Sequence, residues 1–329
     1  MSEKLIFSDF FCIFAKNNKT MDKKVIVSMA TMPCRINRLK ENLPSILNQS
    51  YKFDKLVINV DDKNDVSEND LIYYNSIKNE IIEINICKNK WRSCNKLLPT
   101  LEKYPEDIII TIDDDIYYPI DSFKCLIEQY NKTPDCIIAH EVNPLIIENN
   151  YITYFNGVDI KLKQKEWGKY LSNCTLFPPH IFDNTDLFDF EKMMECTNGT
   201  HDELWFWINS TLNGVQCVGL NYVFSFGVET LTPYSDDEFA LFKINSNNDA
   251  IKTYMDVINK NYGEKLLKQI KNKDVVFNID ENNIYSYFFL LPYINNFYDY
   301  GYKIKCNTLT KAWKTKFLNV LKNNAKPSL

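Results

Sequence analysis

The sequence contains no Gly-rich phosphate loop. The run that reads as its first strand ends in "SMATMPCR" (Ser28 to Arg35), with neither GxGxxG nor GxxxxGK[ST]. That argues against a dinucleotide-binding Rossmann domain and against a P-loop. Histidine is scarce, with three in 329 residues, and no two cysteines form a CxxC pair. A structural zinc site is therefore not expected, and the ten cysteines, scattered singly, read as reduced thiols of a cytosolic protein. An excess of positive charge is missing too. With 38 Lys and Arg against 43 Asp and Glu, the net charge of −5 gives no global basic field, so nucleic acid is not an expected partner. No apolar run is long enough to cross a bilayer. Leu5–Ala15 is interrupted by Asp9 and lacks an A-x-A cleavage signal, and the aromatic stretch Ile284–Tyr300 contains Pro292. The Asn-x-Ser/Thr sites at Asn173, Asn198 and Asn209 read as chance in so Asn-rich an intracellular chain.

What is present is core material: 45% of residues are hydrophobic and 14% aromatic, ample for one large or two modest domains. Residues 1–20 read as an appendage, with the first domain beginning at Met21. From there the periodicity alternates. Strands are expected at Lys24–Met29, Lys55–Val60, Ile81–Ile86, Asp107–Ile112 and Cys136–Ala139. Between them, helices are expected at Ile36–Asn48, Glu68–Asn79, Asn95–Tyr104 and Ile120–Tyr130. This order predicts an α/β fold with a mostly parallel central sheet flanked by helices, and ligands beyond the carboxyl ends of its strands. The second half is less regular, with a Pro178-Pro179 turn and a helix over His201–Leu212. From residue 246 a mainly helical C-terminal extension is expected, with amphipathic stretches at Ala250–Asn259, Glu264–Ile270 and Thr310–Leu321.

The polar residues that follow each strand are the candidates for chemistry: Thr31 and Arg35, then Asp61 and Asp62, then Asp113, Asp114 and Asp115. The last group is the most unusual. A greasy strand, "IIITI", runs directly into three aspartates. Two unit charges 4 Å apart repel by roughly 4 kcal/mol at an effective dielectric of about 20, so the cluster needs a cation, a shared proton or open water. Side chains alternate in extended backbone, which turns Asp114 away from Asp113 and Asp115. The dull alternative is an acidic turn capping the helix at Ile120. Likewise Asp61 and Asp62 could be a solvated turn, Thr31 a helix cap and Lys96 part of a solvated helix face. "HDELWFW" offers N-cap chemistry at Thr200 and Asp202, with Leu204, Trp205, Ile208 and Leu212 at helical spacing.

Three stretches in this order, "VIVSMATMPCRINRLKENLPSILNQS", "NKLLPTLEKYPEDIIITIDDDIYYP" and "HDELWFW", resemble the GT-A-fold nucleotide-sugar glycosyltransferases. The nearest likeness is to the bacterial family-2-like branch that builds capsule and lipopolysaccharide. The resemblance covers residues 22–230 and implies a GT-A (Rossmann-like) domain over 21–245. Within it, 21–140 would hold the nucleotide sugar and 141–245 the acceptor. It implies Mn2+ or Mg2+ and a UDP-sugar donor, with a glycan or lipid-linked glycan as acceptor. Location would be cytoplasmic, at most peripheral at the inner face of the cytoplasmic membrane. Asp115 would ligate the metal directly and Asp113 through ribose or water, with Asp114 in the same nucleotide-binding set. Asp61 or Asp62 would hydrogen-bond the base, Thr31 and Arg35 would contact base and diphosphate, and Lys96 would reach a phosphate oxygen. Asp202 or Glu203 would be the general base of an inverting transfer. The family pattern has two aspartates there, so Glu203 is a departure. A metal-ligating histidine is not expected. Trp91 and Arg92 could shape the sugar pocket, and "LSNCTLFPPH" resembles the loop between donor and acceptor. A retaining transferase, a sugar nucleotidyltransferase and a Ca2+-dependent carbohydrate-binding protein are the rival readings.

Overall fold

Seven residues, all but Ala30 buried, form the first strand, β1 (Val25–Thr31). They pair in parallel with β2 (Lys55–Asp61) on one side and β4 (Ile108–Ile112) on the other. β3 (Ile82–Cys87) extends the sheet beyond β2, also parallel. The computed structural model describes residues 23–61, 66–87, 91–143, 145–154, 165–220, 229–230, 248–270, 276–278 and 303–305. Asp62, the appendage at 1–20, the aromatic stretch Ile284–Tyr300 and the amphipathic stretch Thr310–Leu321 lie outside the described residues.

The remaining strands of the eight-stranded sheet are β5 (Ile137–Ala139), β6 (Lys165–Glu166), β7 (Cys174–Phe177) and β8 (Cys217–Gly219), in the spatial order β6-β8-β5-β7-β4-β1-β2-β3. β7 runs against both neighbours, β4 and β5, and β6 runs against β8; the other pairings are parallel. The result is a mixed, mostly parallel central sheet. Period-two alternation splits its side chains between two cores. Val27, Met29, Ile110 and Ile112 pack with Leu39 and Ile46 of α1 (Ile36–Leu47), Tyr74 of α2 (Glu68–Ile77) and Phe123 of the Ser122–Tyr130 helix. Ile26, Val57, Ile109 and Phe177 face the other way. Helices cover both faces, as the alternating sequence predicts.

The expected helix at Asn95–Tyr104 is divided. A 3-10 turn occupies Arg92–Lys96, and α3 is Leu98–Lys103. Arg92 has a positive φ of 51°, and Pro99 sits where its fixed φ starts a helix best. With α4 as Ser122–Tyr130, α5 is Phe190–Thr197 and α6 is Asp202–Leu212. Trp205, Phe206 and Trp207 of α6 are all buried, and the indole N–H groups of the two tryptophans donate to the Leu187 and Trp167 carbonyls at 2.8 and 3.2 Å. Nine of the eleven residues of α6 are buried, which makes it an interior helix whose first turn is held firmly. The capping expected of Thr200 and Asp202 is not found. His201 occupies the N-cap position with no side-chain cap bond, and Thr200 Oγ1 donates back to the Thr197 carbonyl. The two amphipathic stretches at Ala250–Asn259 and Glu264–Ile270 belong to one continuous helix, α7 (Asn248–Ile270), whose Met255, Ile258 and Leu266 share a core with α6. Asn259 pins α7 to Ile152, accepting from its N–H and donating to its carbonyl, each at 2.7 Å.

Candidate active site

Parallel pairing puts the carboxyl ends of β1, β2 and β4 on one edge. Thr31 stands beside Val60, Asp61 beside Cys87, and Met29 beside Ile112, the residue before the aspartates. Because β7 runs antiparallel, with Cys174 beside Ile112, its beginning reaches this same edge. Ser172 and Asn173 therefore arrive next to Asp113 from the other half of the chain.

Asp113 parts from Asp114 and Asp115, which lie in a turn and share Arg35, so strand alternation does not extend to them as expected. Asp113 accepts from Lys96 Nζ at 2.5 Å. Asp114, buried, accepts from Thr31 Oγ1 at 2.7 Å and from Arg35 Nη1 at 2.6 Å. Asp115, partly exposed, lies 3.3 Å from the other guanidinium nitrogen of Arg35. Tyr118 braces the turn: its hydroxyl accepts from the Asp113 N–H at 2.8 Å and donates to the Asn173 carbonyl at 2.5 Å. The Asp113 carboxyl is pushed up to about 6 by burial, against the pull of Lys96 and with added repulsion from Asp115. Burial likewise lifts Asp114 to about 6, although Arg35 opposes it.

The acceptor-side acids sit at the start of α6. Asp202, buried, lies 3.2 Å from Lys96 Nζ and accepts a short hydrogen bond from Ser172 Oγ. Lys96 Nζ also donates to Ser172 Oγ at 3.3 Å. One ammonium thus donates to Asp113 and Ser172 and forms an ion pair with Asp202. Burial would lower that ammonium, but Asp113 and Asp202 carry it above the ordinary lysine value. Glu203 faces elsewhere. Its Oε1 is 3.4 Å from both the buried Lys169 Nζ and His201 Nδ1. Burial would raise the Glu203 carboxyl, yet Lys169 and His201 hold it well below the usual carboxylate range.

Of the residues singled out in the sequence, Thr31, Arg35, Lys96, Asp113, Asp114, Asp115 and Asp202 converge on this edge. Thr31 caps no helix; its hydroxyl is spent on Asp114, and Met32 and Arg35 take the N-cap positions that follow. The aspartates cap nothing at Ile120, since Asp121 holds that position. Lys96 is not on a solvated face: it is buried on the 3-10 turn. Asp61 ends β2, half-buried, on the same edge. His180 stands at the opposite edge, 2.9 Å from Glu106, which precedes β4. Trp91 packs edge-on against Phe188 and Phe190, and Arg92 donates to the Asn198 carbonyl at 2.9 Å. "LSNCTLFPPH" forms the buried strand β7 and its approach. Sequence reasoning missed Lys169 and Tyr118 as site residues, and reached Ser172 only as part of "LSNCTLFPPH", with no role of its own.

Among the described residues, no three His, Cys, Asp or Glu side chains form a group able to cage a metal. Asp113 and Asp115 offer oxygen ligands of the kind a hard divalent cation takes, although each already faces a protein cation, Lys96 and Arg35. Mg2+ and Mn2+ take few protein oxygens and complete their shell with phosphate and water.

No family model matches the chain, and no curated protein does. Among solved structures, that of S. aureus TarS 1-349 in complex with UDP superposes with a TM-score of 0.47 at 13% identity, covering 92% of this chain and 81% of that one. TarS 1-349 in complex with UDP-GlcNAc gives a TM-score of 0.45 at 13% identity over 92% of this chain and 80% of that one. Likenesses of this degree leave the chemistry to be read from the chain's own residues. No helix of the described residues is long and apolar enough to cross a membrane.

Proposed function

We propose that this chain is a GT-A glycosyltransferase. It would move a hexosyl or N-acetylhexosaminyl group from a nucleotide-diphosphate sugar, by resemblance a UDP-sugar, to a growing surface glycan of the capsule or lipopolysaccharide type. One observation carries the reading: a single buried lysine, Lys96, joins a carboxylate at the carboxyl end of a parallel strand to a carboxylate at the start of a core helix. Such an edge is where α/β sheets bind ligands. A transferase needs acids on both sides of the sugar, one set for the leaving diphosphate and one for the attacking hydroxyl.

Asp113 and Asp115 would hold a divalent cation, which supplies charge stabilisation for the departing diphosphate. Arg35, anchored by Asp114, presents a planar fork suited to phosphate. Thr31, Asp61 and Asp62 are assigned to the nucleotide side of the same edge. In the transfer, the acceptor hydroxyl loses its proton to Asp202, and its oxygen bonds the anomeric carbon. The bond from that carbon to the phosphate oxygen breaks, and its electron pair stays on the diphosphate. A single displacement of this kind inverts the anomeric centre. Asp202 is preferred over Glu203 as base because Glu203 is committed to Lys169 and its carboxyl is held low.

A second reading is favoured by the cations already present. Lys96 and Arg35 neutralise Asp113 and Asp115 from within the protein, and they could meet a diphosphate without metal. One experiment separates the readings. Purified protein is incubated with a panel of UDP-, GDP- and dTDP-sugars, with Mn2+, with Mg2+ or with excess chelator, and free nucleotide diphosphate is measured. Metal-dependent release from one donor supports the first reading, and equal release in chelator the second. No release from any donor, with water or with glycan acceptors, refutes both.

A further inference from the structure

Ser172 is buried, and no role is assigned to it by the transferase reading. Three bonds meet at it. Its hydroxyl donates to Asp202 Oδ2 and receives from Lys96 Nζ at 3.3 Å, and its carbonyl accepts from Thr111 Oγ1 at 2.8 Å. Thr111 lies on β4 two residues before Asp113, and it stands beside Thr175 of β7 in the sheet. A continuous tie therefore runs from the strand that fixes Asp113, through Ser172, to the carboxylate of Asp202.

This tie answers a geometrical need. Asp202 begins a helix whose N-cap residue, His201, makes no side-chain cap bond, so no local contact orients the carboxylate. Its orientation comes from Ser172 and Lys96, both set from the sheet. A hydroxyl that donates to one carboxylate oxygen occupies that oxygen and leaves the second, Oδ1, to receive a proton. We infer that Ser172 is a positioning residue: it sets the Asp202 carboxylate relative to the donor edge and selects which of its oxygens acts as base. The inference rests on the transferase reading, with Asp202 as base.

The test is a double-mutant cycle on turnover. Ser172→Ala, Asp202→Asn and the double variant are compared with wild type, using the panel donor that wild type consumes best, with water as acceptor. Circular dichroism and thermal melting confirm that each variant is folded. Misplacing a reacting group by about 1 Å costs on the order of 10²-fold. Ser172→Ala should therefore lower kcat by about 10- to 100-fold and leave the donor KM within about twofold. In the Asp202→Asn background the same substitution should cost nothing further, because the group it positions is gone. A loss that multiplies on top of Asp202→Asn overturns the positioning role alone. So does a loss that appears in donor KM and not in kcat. Wild-type turnover by Asp202→Asn overturns the base assignment, and the role of Ser172 with it.

Discussion

Replacing Lys96 by Met keeps the length of the side chain and removes its charge. The ammonium lies 2.5 Å from Asp113 and 3.2 Å from Asp202. Those carboxylates differ in their access to water: the Asp113 side chain is 27% exposed and that of Asp202 only 6%. Removing one partner of a buried ion pair costs about 3–5 kcal/mol. Asp113 can recover hydration and Asp202 cannot, so the loss should sit near the lower bound, about 3 kcal/mol at pH 7. The pH dependence follows in sign. Lys96 is raised above its ordinary value, so its contribution is complete throughout the neutral range and is lost only at strongly alkaline pH. In Lys96→Met the stranded carboxylates are costly only while charged. The gap to wild type should therefore narrow as pH falls toward 4. Urea unfolding at several pH values reads this as a shifted midpoint with unchanged slope. Metal affinity should move the opposite way. A lysine charge about 5 Å from a divalent cation repels it by roughly 1.7 kcal/mol in water, so Mn2+ should bind the variant on the order of tenfold tighter. A variant as stable as wild type at every pH would refute the bridging role. Weaker Mn2+ binding would refute Asp113 as a ligand.

Asp115, partly exposed, pairs with Arg35 at 3.3 Å, so Asp115→Asn should change stability by no more than about 1 kcal/mol while removing metal-dependent turnover; wild-type turnover would sink the metal assignment. Asp202→Asn should lower the chemical step by roughly 10²–10⁴-fold, read in single-turnover kinetics. Glu203→Gln should behave differently, since it strips the buried Lys169 of its carboxylate and leaves it over the Tyr154 ring at 5.0 Å. It should lose about 3–5 kcal/mol of stability yet keep the chemical rate per folded molecule; a rate loss at full stability would make Glu203 the base. Finally, Asp113 and Asp114 are raised to about 6 by burial, so they bind more protons folded than unfolded between about pH 4 and 6. Metal-free protein should lose stability as pH rises through that window, and Asp114→Asn should flatten the slope; a slope unchanged in the variant would discount the shift.

The strands built on β-branched runs, Val25–Thr31 and Ile108–Ile112, are plain in the sequence because burial on both faces demands such runs. Alternation stops at Ile112: Asp114 and Asp115 lie in a turn and share Arg35, so the expected divergence of Asp114 from Asp115 is not found. What the sequence hides is set by partners far along the chain. "CTLF" is too short to declare a direction, and β7 is antiparallel only because β4 and β5 flank it so. Periodicity at "HDELWFW" suggests a cap, whereas Lys96, 106 positions earlier, draws the Asp202 carboxylate off the helix. Lys96 itself is expected on a helix and lies on a 3-10 turn, since nothing local announces the positive φ of Arg92 at which that turn begins.

One reversed strand has a consequence for how such a protein can change. Because β7 runs against β4, the segment leading into it opens at the edge where β1, β2 and β4 end. Its register is locked downstream by four consecutive pairings, from Cys174 with Ile112 to Phe177 with Ile109. The stretch before Ser172 is held as well, since Lys165–Glu166 pairs with β8 and Lys169–Tyr170 pairs with Val142–Asn143. A change of length at Ser172 would therefore be passed into the sheet from both sides. On the transferase reading, a new acceptor would be taken up by exchanging side chains there, not by inserting or deleting residues, with "IIITIDDD" left as it is.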